Sequence, residues 1–286
     1  MKRIRRPVLL LLAFLVCVAL NYNPQAYIRS EYHHWGWNFS LLASALIILI
    51  IRSRDPGSWK QKLGIGFSRK DILAFLVTTT GLLLVSYYVV DYLAGLSNYS
   101  FEPRLFNFKR IIGADYPFHA VLGTYFYYFP ETFNEEMLIG AIPLMGLERR
   151  FNKLNKNIIA ISVALIFSLM HQVLYKYSPY QPGILLTVSS LSALFFVGIL
   201  RNILIMKTRK IAYSWAIHLS FNLVFFAGFF VHGSTKVIAS EPERFNIIFG
   251  NITMLIITGF LALISLIWFN AENLKIKKSH EIPGSV

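Results

Sequence analysis

Apolar segments recur along the whole chain, at roughly 7–22, 35–51, 72–90, 118–147, 158–175, 184–200, 211–230 and 246–269. Most approach the ~20 residues that a helix needs to cross the ~30 Å hydrocarbon core of a bilayer. With 55% hydrophobic and 15% charged residues and a mean hydropathy of +0.52, the composition excludes a soluble globule. The expected fold is therefore all-α: a polytopic membrane protein, one integral domain over residues 1–286, with about eight transmembrane helices around a membrane-embedded polar site.

The 28 basic residues test this division independently of hydropathy. "MKRIRR", "RSRDPGSWKQKLGIGFSRK", "ERRFNKLNK", "RNILIMKTRK" and "LKIKK" hold all of them except Arg29, Arg104, Lys109, Arg110, Lys176, Lys236 and Arg244. These two sets fall on alternate loops, so the positive-inside bias places the first set and both termini in the cytoplasm. A formal net charge of +14 otherwise raises the possibility of a nucleic-acid partner. Short basic clusters between apolar runs, rather than one basic face, exclude that reading.

The single cysteine, Cys17, excludes a disulfide framework and a four-cysteine zinc site. The start, "MKRIRR" and then "VLLLLAFLVCVAL", has the outline of a secretory signal, but "NYNPQAY" offers no small-x-small cleavage site, and an uncleaved first helix is expected. The "WGW" at 35–37 fits an aromatic belt at the interface. No internal repeat, low-complexity tract or soluble domain is evident, and the longest loop, from "DYLAGL" to "GADYP", is external.

Function should lie where polar groups enter the apolar runs, because a charge at bilayer depth costs several kcal/mol. The stretch "ETFNEEMLIG" puts Glu131, Glu135 and Glu136 into the fourth segment; "FSLMHQ" puts His171 into the fifth; "HLSFN" puts His218 and Asn222 into the seventh. The other five histidines, His33, His34, His119, His232 and His280, fall in loops, a tail or the outer end of a span. At about 1.5 Å of rise per residue, Glu135 and His171 lie roughly 20 Å from the cytoplasmic side, Asn222 roughly 16 Å and His218 roughly 10 Å. Spacing by four puts His218 and Asn222 on one helix face, and likewise Phe167 and His171. Glu135 and Glu136 are about 100° apart around the axis and are expected to have different partners. Pro130, lacking a donor, is expected to kink or break the fourth span, which is tolerated where a helix lines a watery cavity.

These residues resemble the CAAX-processing and bacteriocin-processing (CPBP, or Abi) intramembrane endopeptidases, which include the Rce1-type prenyl-protein proteases. That family's pattern is E-E-x-x-x-R, then F-x-x-x-H, then H-x-x-x-N or H-x-x-x-D, on three helices. Here "EEMLIG", "FSLMH" and "HLSFN" follow in that order. The "KLGIGFSRKDI" loop is similar to a short leader in the family. The resemblance covers about 60–270, with its motif core at 131–222. One position departs: Gly140 stands where the pattern has Arg. An Arg there would face Glu136 across one helical turn and offset the burial of its charge. Arg201 and Arg149 are candidate substitutes, though the sequence places both near the cytoplasmic edge.

The resemblance implies peptide-bond hydrolysis inside the membrane. Glu135 and His171 would activate a water, His218 and Asn222 would stabilise the oxyanion, and Glu136 would complete the catalytic set. The implied substrate is a membrane-associated or lipid-modified protein or peptide, with the lipid bilayer as the other partner and no nucleic acid. No cofactor is expected; the alternative is Zn held by Glu135, His171 and His218, although no H-E-x-x-H motif occurs. Two non-enzymatic readings stand beside it: a catalytically silent relative acting as an immunity or scaffold protein, which Gly140 favours, and an ion-coupled transporter. A bacterial plasma membrane is the expected location.

Overall fold

The computed structural model describes residues 45–96, 100–103, 128–172, 182–223, 229–232, 237–238, 245–246 and 248–280. The first apolar segment, most of the second, the "WGW" motif, His33, His34 and His119 lie outside the described residues. What is described is predominantly helical. Long helices run over Arg69–Leu96, Ile184–Thr208 and Ile252–His280, and shorter ones over Ile142–Arg150, Lys156–Met170 and Ala212–Asn222.

Two of these, Ile184–Thr208 and the Ile252–Ala271 part of the last, are long and apolar enough to cross a membrane; Lys156–Met170 is a shorter apolar helix. Their outer faces agree with lipid. Ile252, Ile256, Phe260, Leu263, Ile264 and Ile267 are exposed along one helix, as are Leu73, Val77 and Leu84 along Arg69–Leu96. In water such stripes would be a continuous hydrophobic patch.

The all-α expectation holds for the described residues apart from one small three-stranded antiparallel sheet, Ser100–Pro103, Phe229–His232 and Val237–Ile238, with Phe101 opposite Val231 and Val231 opposite Ile238. Two expected spans need correction. The apolar run read as one span over 211–230 is thus helical only as far as Asn222, with Leu223 in a π turn, and extended at 229–232, where Phe-Phe-Val suits a paired strand. The sixth segment, by contrast, runs past residue 200 to Thr208, so Arg201 belongs inside a helix and not to a loop.

The core is built around Ile184–Thr208, which packs against Lys156–Met170 on one side and Ile252–His280 on the other. Gly198 permits the first approach, since a Cβ there would lie 3.1 Å from the Cβ of Ala164. Small residues at a helix contact let two backbones close, which matters in lipid because burial from water supplies no attraction. Hydrogen bonds then tie the pair: Asn202 Nδ2 donates to the Ala160 carbonyl at 2.7 Å, and Ser168 Oγ to the Leu191 carbonyl at 2.6 Å.

The Ala212–Asn222 helix is held differently, against Arg69–Leu96. Ser68 and Asp71 form a capping box at the start of Arg69–Leu96: the Ser68 amide donates to Asp71 Oδ2 at 2.6 Å, and the Asp71 amide to Ser68 Oγ at 3.3 Å. The same carboxylate accepts Lys210 Nζ at 2.6 Å, from the turn that leads into Ala212–Asn222. Nearby, the Ile211 amide donates to the Gly64 carbonyl at 2.9 Å; Gly64 itself has φ of 69°, a conformation few other residues adopt.

Lys210 and then Ser68 pull the Asp71 carboxyl down to about 2. Because the folded value lies below the unfolded one, the unfolded chain takes up the extra proton between roughly pH 4 and 2, and stability falls as the pH drops through that window. Thermal unfolding in detergent should find Asp71→Asn less stable than wild type by about 1–2 kcal/mol at neutral pH. The difference should shrink as the pH falls below about 4.

Candidate active site

Glu135 is the last α-helical residue of a stretch that runs from 128, and Glu136 opens a π-helical turn over Glu136–Ala141. Such turns are rare insertions that re-aim side chains and occur often at functional sites. Pro130 does not interrupt the helix at 130–135; the distortion among the described residues lies downstream, in the π turn itself. Every residue of that turn is buried, with Met137, Leu138, Ile139 and Ala141 in the main core.

The structure brings four of the five predicted residues together. His171 Nε2 lies 3.6 Å from Glu135 Oε1, and His218 Nε2 lies 3.7 Å from Glu135 Oε2. His218 Nδ1 is 3.0 Å from Glu136 Oε1. The two glutamates therefore share His218, and divide otherwise: Glu135 turns to His171, Glu136 to Arg201, whose Nη1 is 3.9 Å from Glu136 Oε1. Glu135 is 6% exposed, Glu136 0% and Arg201 4%. Asn222, half-buried, follows one turn after His218 on the same helix, and no bond of its side chain to another described residue joins it to the cluster.

Each imidazole is oriented by its second nitrogen. His171 is the C-cap of Lys156–Met170, and its Nδ1 meets the Phe167 carbonyl, one turn back, at 2.8 Å. A carbonyl and a carboxylate accept and do not donate, so Nδ1 carries the proton in both His171 and His218. In the neutral rings Nε2 is then the lone-pair nitrogen, and both lone pairs face Glu135. The Phe167 ring stands edge-on to His171 at 4.8 Å, while Phe245 stacks on it at 6.3 Å.

The helices that carry the glutamates and His218 are clamped to one another by Trp215. Its Nε1 donates to Thr132 Oγ1 at 3.0 Å, and its ring packs against Phe75, Phe129 and Phe133 at 4.4, 4.7 and 5.0 Å. Sequence reasoning did not find Trp215, Thr132 or Phe245. Arg201, a candidate substitute for the missing motif arginine, does stand beside Glu136; only its depth differs from the expectation, since this lone arginine lies inside "LFFVGILRNILIM", apolar on both sides, and not at the cytoplasmic edge. Among the described residues, no three His, Cys, Asp or Glu side chains are disposed to hold a metal ion.

Residues 117–224 match the family model of the type II CAAX prenyl endopeptidase Rce1-like proteins. This stretch is Rce1-like. It contains Glu135–Glu136 of the first motif, with Gly140 in place of its arginine, and the second and third motifs at Phe167–His171 and His218–Asn222, and is narrower than the 60–270 over which the sequence resembles the CPBP endopeptidases. The Rce1-like stretch covers less than half of the 286-residue chain, and at family level it supports a membrane endopeptidase. No curated protein and no solved structure matches the chain.

The Trp215 clamp makes a checkable demand on stability. Thr132→Val keeps the shape but leaves the buried indole N–H unpaired, which should cost about 1–3 kcal/mol in thermal unfolding. Trp215→Phe removes the orphaned donor along with some packing. The double variant should therefore lose less than the two single losses added together.

Proposed function

We propose that the chain is an intramembrane endopeptidase that hydrolyses a peptide bond in a membrane-associated or lipid-modified protein or peptide by means of an activated water. The observation that carries this reading is the convergence of His171 Nε2 and His218 Nε2 on the Glu135 carboxylate at 3.6 and 3.7 Å. The Glu135 carboxylate and the His171 Nε2 lone pair are both acceptors and cannot bond to one another, so what fits between them is a donor. Water supplies two O–H groups, and acceptors that take both leave its lone pair free for a carbonyl carbon.

In this reading Glu135 takes a proton from the water as its oxygen bonds to the scissile carbonyl carbon. The carbonyl electrons move onto the oxyanion, and the same proton passes to the leaving amine as the C–N bond breaks. His171 holds the water, fixed in its tautomer by the Phe167 carbonyl. His218, fixed by Glu136, faces the same point. In its protonated form its Nε2 donates to the oxyanion, and Asn222 is the second donor, brought to bear when substrate fills the site. No cofactor enters the scheme. The eight-span layout with cytoplasmic termini in a bacterial plasma membrane belongs to the same proposal, supported by the basic-residue asymmetry of the loops.

The test uses the purified full-length protein in proteoliposomes with a quenched farnesylated CAAX peptide as probe, and mass spectrometry of membrane peptides from cells with and without the intact protein. Glu135→Gln should lower cleavage by at least about 100-fold, and Asn222→Ala should lower kcat by about 100-fold with KM little changed. Cleavage should survive extensive chelation. Loss on chelation, restored by zinc, would transfer the reaction to a metal held by Glu135, His171 and His218. Cleavage products unchanged in the Glu135→Gln variant would overturn the assignment.

A further inference from the structure

The family pattern leaves one position unaccounted for, Gly140, and among the described residues the core holds one cation that the pattern does not contain, Arg201. The two meet at the same place. A Cβ built on Gly140 would be in ordinary contact with Arg201 Nη2, at 3.6 Å, and 2.8 Å from Ile205 Cδ1, the far end of a flexible side chain that would have to shift. A side chain as long as arginine at 140 would therefore enter the space that Arg201 and Ile205 occupy against the π turn.

Arg201 uses the space so provided. Nη2 donates to the Ile139 carbonyl at 3.0 Å, inside the π turn. Nη1 approaches Glu136 Oε1 at 3.9 Å, Nε donates to Asn202 Oδ1 at 3.3 Å, and the guanidinium lies 4.0 Å above the Phe167 ring. Among the described residues, neither Nη1 of Arg201 nor Oε2 of Glu136 has a hydrogen-bond partner, though both are buried. A carboxylate with no exposure carries a large desolvation cost unless a cation offsets it, and among the described residues Arg201 is the permanently charged side chain placed to do so, at 3.9 Å. Through Glu136 its influence reaches His218, which bonds to the same Oε1 atom.

We infer that Arg201 is a positioning residue of the active site: from the neighbouring helix it balances and orients Glu136, the place that an arginine at 140 would otherwise fill. It touches no reacting atom in the proposed scheme; it fixes the carboxylate that fixes His218. The inference deepens the endopeptidase reading, yet it concerns the charge balance of the site, which can be measured without substrate.

Three observations on the purified protein in detergent test it. First, Arg201→Gln should lower the melting temperature by at least about 5 °C, and adding Glu136→Gln should recover much of that loss, because a neutral partner needs no counter-charge. If Arg201→Gln does not accumulate folded, the paired Arg201→Gln/Glu136→Gln variant still should. Second, Gly140→Arg, built with Ile205→Ala to relieve the contact, should lower the melting temperature when Arg201 is present and raise it in the Arg201→Gln background. Third, the His218 Nδ1 resonance in ¹⁵N-histidine spectra should move in Arg201→Gln and stay near its wild-type position in Arg201→Lys and in Phe167→Leu. A role in packing alone predicts the opposite: no recovery with Glu136→Gln, the same sign for Gly140→Arg in both backgrounds, and an unmoved His218 signal, each of which would overturn the inference. Failure of peptide cleavage with these three results intact would reject the protease reading and leave the assignment of Arg201 standing.

Discussion

A carboxylate without solvent contact, Glu136, sets the terms for everything around it. Its oxygen Oε1 is shared by the His218 Nδ1 proton at 3.0 Å and the Arg201 guanidinium at 3.9 Å, and these partners come from two different helices. Separating a buried ion from its partners leaves a charge that the low-dielectric interior cannot solvate, at a cost of about 3–5 kcal/mol. Glu136 therefore ties Ala212–Asn222 and Ile184–Thr208 to the π turn more firmly than apolar packing would, since in lipid that packing lacks the driving force that water provides.

From that anchor the chemistry follows outward. The π turn begins at Glu136, immediately after Glu135, so the turn that buries one carboxylate also sets the direction of the other. Phe167 is used twice: its carbonyl fixes the His171 tautomer, and its ring supports the Arg201 guanidinium at 4.0 Å. One F-x-x-x-H turn thus joins the charge balance beneath the site to the nitrogen that faces Glu135. The two histidine-bearing helices are short, ending at Met170 and Asn222, and this places His171 at a helix terminus rather than in mid-span.

Much of the site was legible from the sequence because each motif lies within one helical turn, where spacing by four fixes which residues share a face. Glu135, Glu136, His171 and His218 meet as their positions in the apolar runs suggested. What the sequence did not reveal depends on contacts between helices. Arg201 stood among the candidates for the missing motif arginine, but its depth was not legible, because the helix after 184 was expected to end near 200 and hydropathy does not register that a lone arginine has an internal partner. Trp215 and Thr132 are ordinary residues of apolar helices until the two helices cross. The strand at Phe229–His232 was hidden for a related reason: an aromatic and β-branched run reads as membrane span or as strand until its pairing with Ser100–Pro103 is known.

The decisive quantity is the separation between the Glu135 carboxylate and the two imidazoles. Solid-state NMR on protein in lipid bilayers, with ¹³C in the glutamate carboxyl groups and ¹⁵N in the histidines, measures it through dipolar dephasing, and loss of the signal in Glu135→Gln assigns it. The account predicts strong dephasing from both His171 Nε2 and His218 Nε2, in keeping with contacts of 3.6 and 3.7 Å. A Glu135 carboxyl resonance that is dephased by neither ring would contradict it.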